Sequence, residues 1–315
     1  MAMLLLDAII IGGGPAGLAA ATGLARQLHT AVLFDSGLYR NRLTMHMHNV
    51  PTWDHQDPRK FREAARNDLL RRYESIKFED QEVQTVNQTE NGTFEVLDGA
   101  GRTWTSRKLV LATGVKDILP DIDGYEECWA NGIYHCLFCH GYEDRGVPSA
   151  GVLAVEDIAN VQRAMHLAGM ARRLTEKVTI YTNGNEQLKQ DLAQNAKVDG
   201  ERIRVDSRRI VRFEKGTRNS EVLVHFEQPT QILTEGFLVH APRTEPNGPF
   251  TKQLSLATLE TGEIKTSHPL LETSVPGVFA IGDVATPLKS VTQALAMGSL
   301  AAAGVAFQVQ AQSRI

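Results

Sequence analysis

The residues of this chain best suited to chemistry are Cys136 and Cys139, spaced by Leu137 and Phe138. Two intervening residues let the sulfurs close a small ring, so the pair can cycle between dithiol and disulfide. The thiolate is the reacting form, and a nearby cation or helix N-terminus favours it. The same spacing can also hold a metal, and His135 and His140 flank the pair. Zinc would need further ligands, yet no second Cys/His pair at finger-like spacing follows, so no metal site is expected. Only three cysteines occur. That count excludes a disulfide scaffold and leaves Cys128 without a partner, as a core residue.

A second constellation is Gly12-Gly13-Gly14-Pro15-Ala16-Gly17, which satisfies GxGxxG with its key glycines at 12, 14 and 17. It follows the apolar run 7–11, opens a helical run from Pro15 to about His29, and is answered by Asp35 at the end of the next strand. Gly12 permits a tight turn, Gly14 lets the backbone approach a pyrophosphate, and Gly17 allows close packing of the helix. The helix N-terminus adds positive partial charge. Asp35 would accept hydrogen bonds from ribose hydroxyls and repel a 2′-phosphate.

Positioning these groups takes a strand–turn–helix–strand unit over residues 7–35. Residues 60–73 read as a helix, and 93–97 and 104–111 as antiparallel strands around a turn at 98–101. A buried strand then ends in Gly114. After a Pro/Asp/Gly-rich crossing at 120–124 a second α/β pattern begins, with a strand at 151–155, a helix at 158–174 and a strand at 178–181. Further strands lie near 208–213 and 222–226. A second linker, 242–249, leads back to a strand at 278–281 and a long terminal helix from about Val291. The expectation is an α/β fold of two Rossmann-like dinucleotide-binding domains, the second (118–241, carrying the cysteine pair) inserted into the first (1–117 and 242–315).

With 315 residues, 42% of them hydrophobic, the chain can bury a core in each of two domains. A net charge of −4 leaves no basic excess to hold a phosphate backbone, so no nucleic-acid partner is expected. The apolar run beginning at Leu4 lacks a basic flank and is interrupted by Asp7, which suits a buried strand better than a secretory signal. No other stretch approaches the roughly 18 uninterrupted apolar residues of a membrane helix. Residues 308–315 are polar and carry no address signal. A cytoplasmic protein with no membrane partner is expected.

The glycine loop, Ala112-Thr113-Gly114 and the segment Gly277-Val278-Phe279-Ala280-Ile281-Gly282-Asp283 together resemble the flavoproteins built from two dinucleotide-binding domains. That resemblance implies FAD as cofactor, with Gly282 and Asp283 at its ribityl and pyrophosphate region. It also implies that Gln293 and Ala294 open a helix aimed at the flavin ring, and that Asn49 lies near that ring. A CxxC in the second domain is similar to that of the low-molecular-weight thioredoxin reductases. The likeness makes Cys139 the sulfur facing the flavin and Cys136 the one that exchanges with substrate. His140 stands where bacterial thioredoxin reductases carry an aspartate; an imidazole with a pKa of roughly 6.5 can take a proton from an attacking thiol and return it to a leaving one, and His135, His46 and His48 are the alternatives for that role.

A reductase of that kind needs a second phosphate loop after the strand at 151–155, but the chain reads Glu156-Asp157-Ile158-Ala159-Asn160, with two acids and no glycine. After the strand at 178–181, where arginines for a 2′-phosphate belong, it reads Thr182-Asn183-Gly184-Asn185-Glu186. Side chains block close backbone approach, and carboxylates repel a pyrophosphate. Nearly the whole chain closely resembles the fungal thioredoxin-reductase-like dithiol oxidases that close the transannular disulfide of epidithiodiketopiperazines such as gliotoxin. The telling segments are residues 25–32, 129–139, 181–188 and 286–289. The resemblance implies a homodimer with FAD, a small dithiol metabolite as substrate, dioxygen as acceptor and hydrogen peroxide as product. An NADPH- or ferredoxin-fed thioredoxin reductase is the alternative.

Overall fold

In the computed structural model, residues 5–195, 197–228 and 230–312 are described; Leu4 of the first apolar run and the last three residues of the polar tail lie outside them. The chain divides into two compact units, one comprising residues 1–116 with 244–315 and the other residues 117–243.

The first unit begins with β1 (Leu5–Ile11), α1 (Pro15–Ala25), β2 (Ala31–Phe34), α2 (Pro58–Arg72) and β3 (Ile76–Glu79). Three antiparallel neighbours follow, β4 (Val83–Gln88), β5 (Phe94–Asp98) and β6 (Thr103–Leu111). Strands β3, β2, β1 and β6 lie side by side and parallel. In β1, residues 8–11 form a near-continuous apolar run because both faces of a parallel sheet are covered. The chain leaves this unit through β7 (Val115–Ile118).

The second unit holds α3 (Tyr125–Cys128), β8 (Ile133–Tyr134), β9 (Ser149–Leu153), α4 (Val161–Ala171), β10 (Lys177–Tyr181), α5 (Glu186–Ala193) and β11 (Ile203–Asp206). It continues with β12 (Ile210–Lys215), β13 (Val222–Phe226), β14 (Ile232–Glu235) and β15 (Leu238–Val239). Its main sheet is parallel, in the order β11-β10-β9-β15-β8, and β12-β13-β14 form a separate antiparallel sheet. The helix expected over 158–174 is shorter than expected: residues 156–158 make a separate 3-10 turn and Asn160 caps α4, whose first residue is Val161. Cys128 is fully buried among Tyr125, Ile133 and Phe213, and burial pushes its thiol up to about 11.

The return passes through β16 (Arg243–Pro246) and α6 (Phe250–Gln253) to β17 (Val278–Ala280), which pairs in parallel with β6, and then to α7 (Val291–Gln312). Helix α7 is long and apolar enough to cross a membrane by length and composition, although Gln293, Ser299 and Gln308 interrupt its apolar run. One face of α7 is nonetheless spent inside this unit. A side-chain carbon at Gly298 would overlap α1 at Ala16, so the two helices pack backbone to backbone.

Candidate functional site

The glycine loop sits between β1 and α1, and its conformation leaves no room for a side chain at Gly12, Gly13 or Gly17. Gly12 has φ +121°, and a Cβ there would overlap the carbonyl oxygen of Ala112; one at Gly17 would overlap that of Gly12. A Cβ at Gly13 would collide with the Asp35 carboxylate. Gly14 differs from these, since no atom of the chain lies within 4 Å of a Cβ built there. It is the N-cap of α1, makes no side-chain cap, and precedes Pro15 at the first helical position. A helix N-terminus approached by bare backbone is what a pyrophosphate requires.

Asp35, at the end of β2, accepts from the Gly37 amide at 3.0 Å and from the Tyr39 hydroxyl at 2.5 Å. Burial and that carboxylate push the Tyr39 phenol upward, and the Arg62 guanidinium lies 3.8 Å over its ring. A Cβ at Gly282 would stand 3.0 Å from Ala16 and 3.8 Å from Ala294. Gly12, Ala16, Asp35, Ala112, Gly282 and Ala294 therefore line one cradle. Asp283 pairs with Arg40 at 3.1 Å. Thr113 and Gly114 hold the loop of Asn247: the Thr113 carbonyl accepts from the Asn247 side chain at 3.1 Å, as does the Gly114 carbonyl from its amide. Ser290 caps α7 through the Gln293 amide at 3.1 Å.

Asn49 adopts φ +62° in an exposed loop closed by a bridge between Met47 and Gln56, where its amide donates to Asp54 at 2.7 Å. His46 and His55 stack there, with ring centroids 4.2 Å apart. Nothing in the sequence pattern marked Tyr39, Arg40 or Arg62 as neighbours of the cradle, because the first two lie in the stretch after β2 and Arg62 arrives from α2.

In the second unit Cys136 and Cys139 are joined by a disulfide. The turn is closed by amides of Cys139 and His140, which donate to the Cys136 carbonyl at 3.2 and 3.0 Å. Leu137 is buried, while Phe138 is 74% exposed. The His140 ring stacks on Tyr134 and meets the His135 ring edge-on at 6.5 Å.

At the start of α4, the Asn160 side chain accepts from the Arg163 amide at 2.9 Å. Arg163 in turn donates to the Asp157 carbonyl at 3.0 Å, and Glu156, at φ +50°, pairs with Arg243 at 3.5 Å. After β10, the Asn183 side chain accepts from the Ile210 amide and the Asn185 side chain from the Leu188 amide.

A parallel α/β sheet opening on a glycine cradle, together with a second α/β unit carrying a redox-capable cysteine pair, defines a thiol–disulfide oxidoreductase. The chain belongs to the pyridine nucleotide-disulphide oxidoreductase family, whose model matches residues 6–298. Among named proteins it is 47% identical to thioredoxin reductase aclD of Aspergillus oryzae, over 98% of each chain. It is 41% identical to thioredoxin reductase sirT of Leptosphaeria maculans, over 96% of this chain and 94% of that one. The structure of an oxidoreductase from Agrobacterium tumefaciens superimposes with a TM-score of 0.85 at 30% identity, covering 98% of this chain and all of that one.

Proposed function

We propose that this protein is a dithiol oxidase. It closes an intramolecular disulfide in a small dithiol metabolite of the epidithiodiketopiperazine class, with FAD as cofactor, dioxygen as acceptor and hydrogen peroxide as product. The observation that carries the reading is the self-capped, acidic start of α4. A nicotinamide dinucleotide needs bare amides there, but the Arg163 amide is taken by Asn160 and the preceding turn carries Glu156 and Asp157. The Asn183 and Asn185 side chains after β10 are likewise spent on backbone amides, and no arginine stands among residues 182–186. The cysteine pair is then the entrance for electrons.

The cradle around Gly12, Gly14, Gly17, Asp35 and Gly282 fits a dinucleotide, with Asp283, Asn49, Gln293 and Ala294 toward the flavin end. When bound, FAD supplies a two-electron acceptor that dioxygen can reoxidise. The chain's own residues do the sulfur chemistry. A substrate thiolate attacks the Cys136 sulfur, forming a mixed disulfide and breaking the bond to Cys139, which leaves as thiolate. The second substrate thiol attacks the substrate's own linked sulfur, closing the product disulfide and expelling the Cys136 thiolate. Two electrons have passed to the enzyme pair, and His140, within the same turn, holds and returns the protons. Both cysteines are half-buried beside the exposed Phe138, which suits a small apolar dithiol. The reading includes a homodimer working in the cytoplasm.

The printed names of the relatives favour a thioredoxin reductase as the second reading. Anaerobic enzyme mixed with excess NADPH separates the two. An unchanged flavin band, with oxygen uptake on adding reduced dithiols in air, is expected; rapid bleaching by NADPH restores the reductase.

A further inference from the structure

We infer that Tyr134 is a positioning residue for His140, held in register by a buried hydroxyl network with Ser220 and Asp144. The inference rests on the reading of His140 as the group that takes the substrate's proton.

A general base works only when its ring nitrogen is aimed at the proton it accepts. The bond from the His140 amide to the Cys136 carbonyl holds the backbone of the turn rather than the ring. Tyr134 braces the ring plane from one face: the two rings lie 4.9 Å apart and within 15° of parallel. Tyr134 is itself enclosed and bonded. It is 7% exposed, backed by Phe237 at 6.0 Å, and its hydroxyl bonds the Ser220 hydroxyl and lies 3.2 Å from Asp144. Ser220 donates to the same Asp144 oxygen at 2.6 Å. Asp144 is 5% and Ser220 8% exposed, so turning the phenol would strand buried polar groups.

The placement in the fold matters as much as the contact. The turn at 136–139 must open and close whenever its disulfide breaks and reforms. Tyr134 lies just outside it, on β8, in the parallel sheet. The stack therefore gives the imidazole a reference anchored to the sheet rather than to the moving sulfurs. The electron-rich face of the phenol, bonded to a carboxylate on its far side, also favours the imidazolium formed when His140 takes the proton.

The test is a double-mutant cycle with dithiothreitol as substrate, read as kcat and KM separately, with flavin absorbance and melting temperature as controls for folding. Tyr134→Phe, which keeps the ring and loses the tether, is expected to lower kcat about threefold, and Tyr134→Leu about thirtyfold, with KM within about twofold. In a His140→Ala background, itself down about a hundredfold, Tyr134→Leu should add less than about twofold, because it acts only through the imidazole. Losses that multiply instead, or a Tyr134→Leu enzyme with wild-type kcat, would overturn the inference. Wild-type kcat in His140→Ala alone would sink the acid–base reading, a separate and recognisable result. If Tyr134→Leu does not fold, Ser220→Ala takes its place in the cycle under the same criterion.

Discussion

The α-carbon of Gly12 faces the carbonyl oxygen of Ala112 so closely that any side chain there would overlap it, whereas Gly14, two residues on, faces no atom of the chain. The contrast separates what the fold needs from what a ligand needs. Gly12→Ala combines that overlap with a left-handed φ, and is expected to cost about 3 kcal/mol or more. Gly14→Ala sits at an extended N-cap and should cost the apoprotein about 1 kcal/mol or less. Yet its methyl group would occupy the pyrophosphate's approach, so flavin should be lost at purification. Melting temperatures of the apoproteins, set beside the flavin-to-protein absorbance ratio, check both. A Gly14→Ala enzyme that keeps full flavin would refute the cradle.

Replacing either sulfur should stop turnover by different routes. Cys136→Ser removes the atom the substrate attacks, and Cys139→Ser removes the leaving group that the attack displaces. Both variants are expected to retain FAD and to lose dithiol-dependent oxygen uptake by at least about a thousandfold. An oxygen electrode decides, and undiminished turnover in either variant would refute the scheme.

Much of the fold was legible because its cues are local. The run into Gly12 reads as a buried strand, and Asp57-Pro58 is a cap followed by a first-turn proline, which starts α2 two residues before the periodic pattern does. Boundaries failed where a single residue overrode periodicity. Helix α1 ends at Ala25, since Leu28 adopts φ +59° and points 84% into solvent, and α4 waits for Asn160 although apolar residues begin earlier. What joins the candidate sites together was mostly illegible. Arg40 and Asp283 are 243 residues apart, and Tyr134 and Ser220 are 86 apart, so no spacing rule connects them.

A buried histidine gives the second unit an acid-sensitive fold. His240 is fully buried, its Nδ1 shares a hydrogen bond of 2.7 Å with the Tyr125 hydroxyl, and burial brings its pKa down to about 4, against a smaller opposing effect of the Val155 backbone. The unfolded chain takes up this proton as pH falls through about 6.5, whereas the folded chain resists until about 4. The contribution is therefore whole above about 6.5 and is lost as pH falls. Between pH 6.5 and 5 the loss should be about 2 kcal/mol. Denaturant midpoints across that window check it. In His240→Asn the slope should flatten, and an equally steep slope would assign the sensitivity to other groups.

The outward face of α7 should join two copies of the chain. Leu300 and Phe307 stand two turns apart at 40% and 69% exposure, with Ala296 and Ala303 exposed on the same stripe. The opposite face is packed on α1, so this stripe is the surface left for a partner. A matching helix from a second copy would bury it symmetrically, as an isologous contact does. Leu300→Glu with Phe307→Glu would place four carboxylates at that contact, two from each copy, and should shift a dimer to monomer by light scattering, with flavin content unchanged. A double variant that remains dimeric would place the contact elsewhere. Wild-type protein that pellets with membranes would instead give the apolar length of this helix a different meaning.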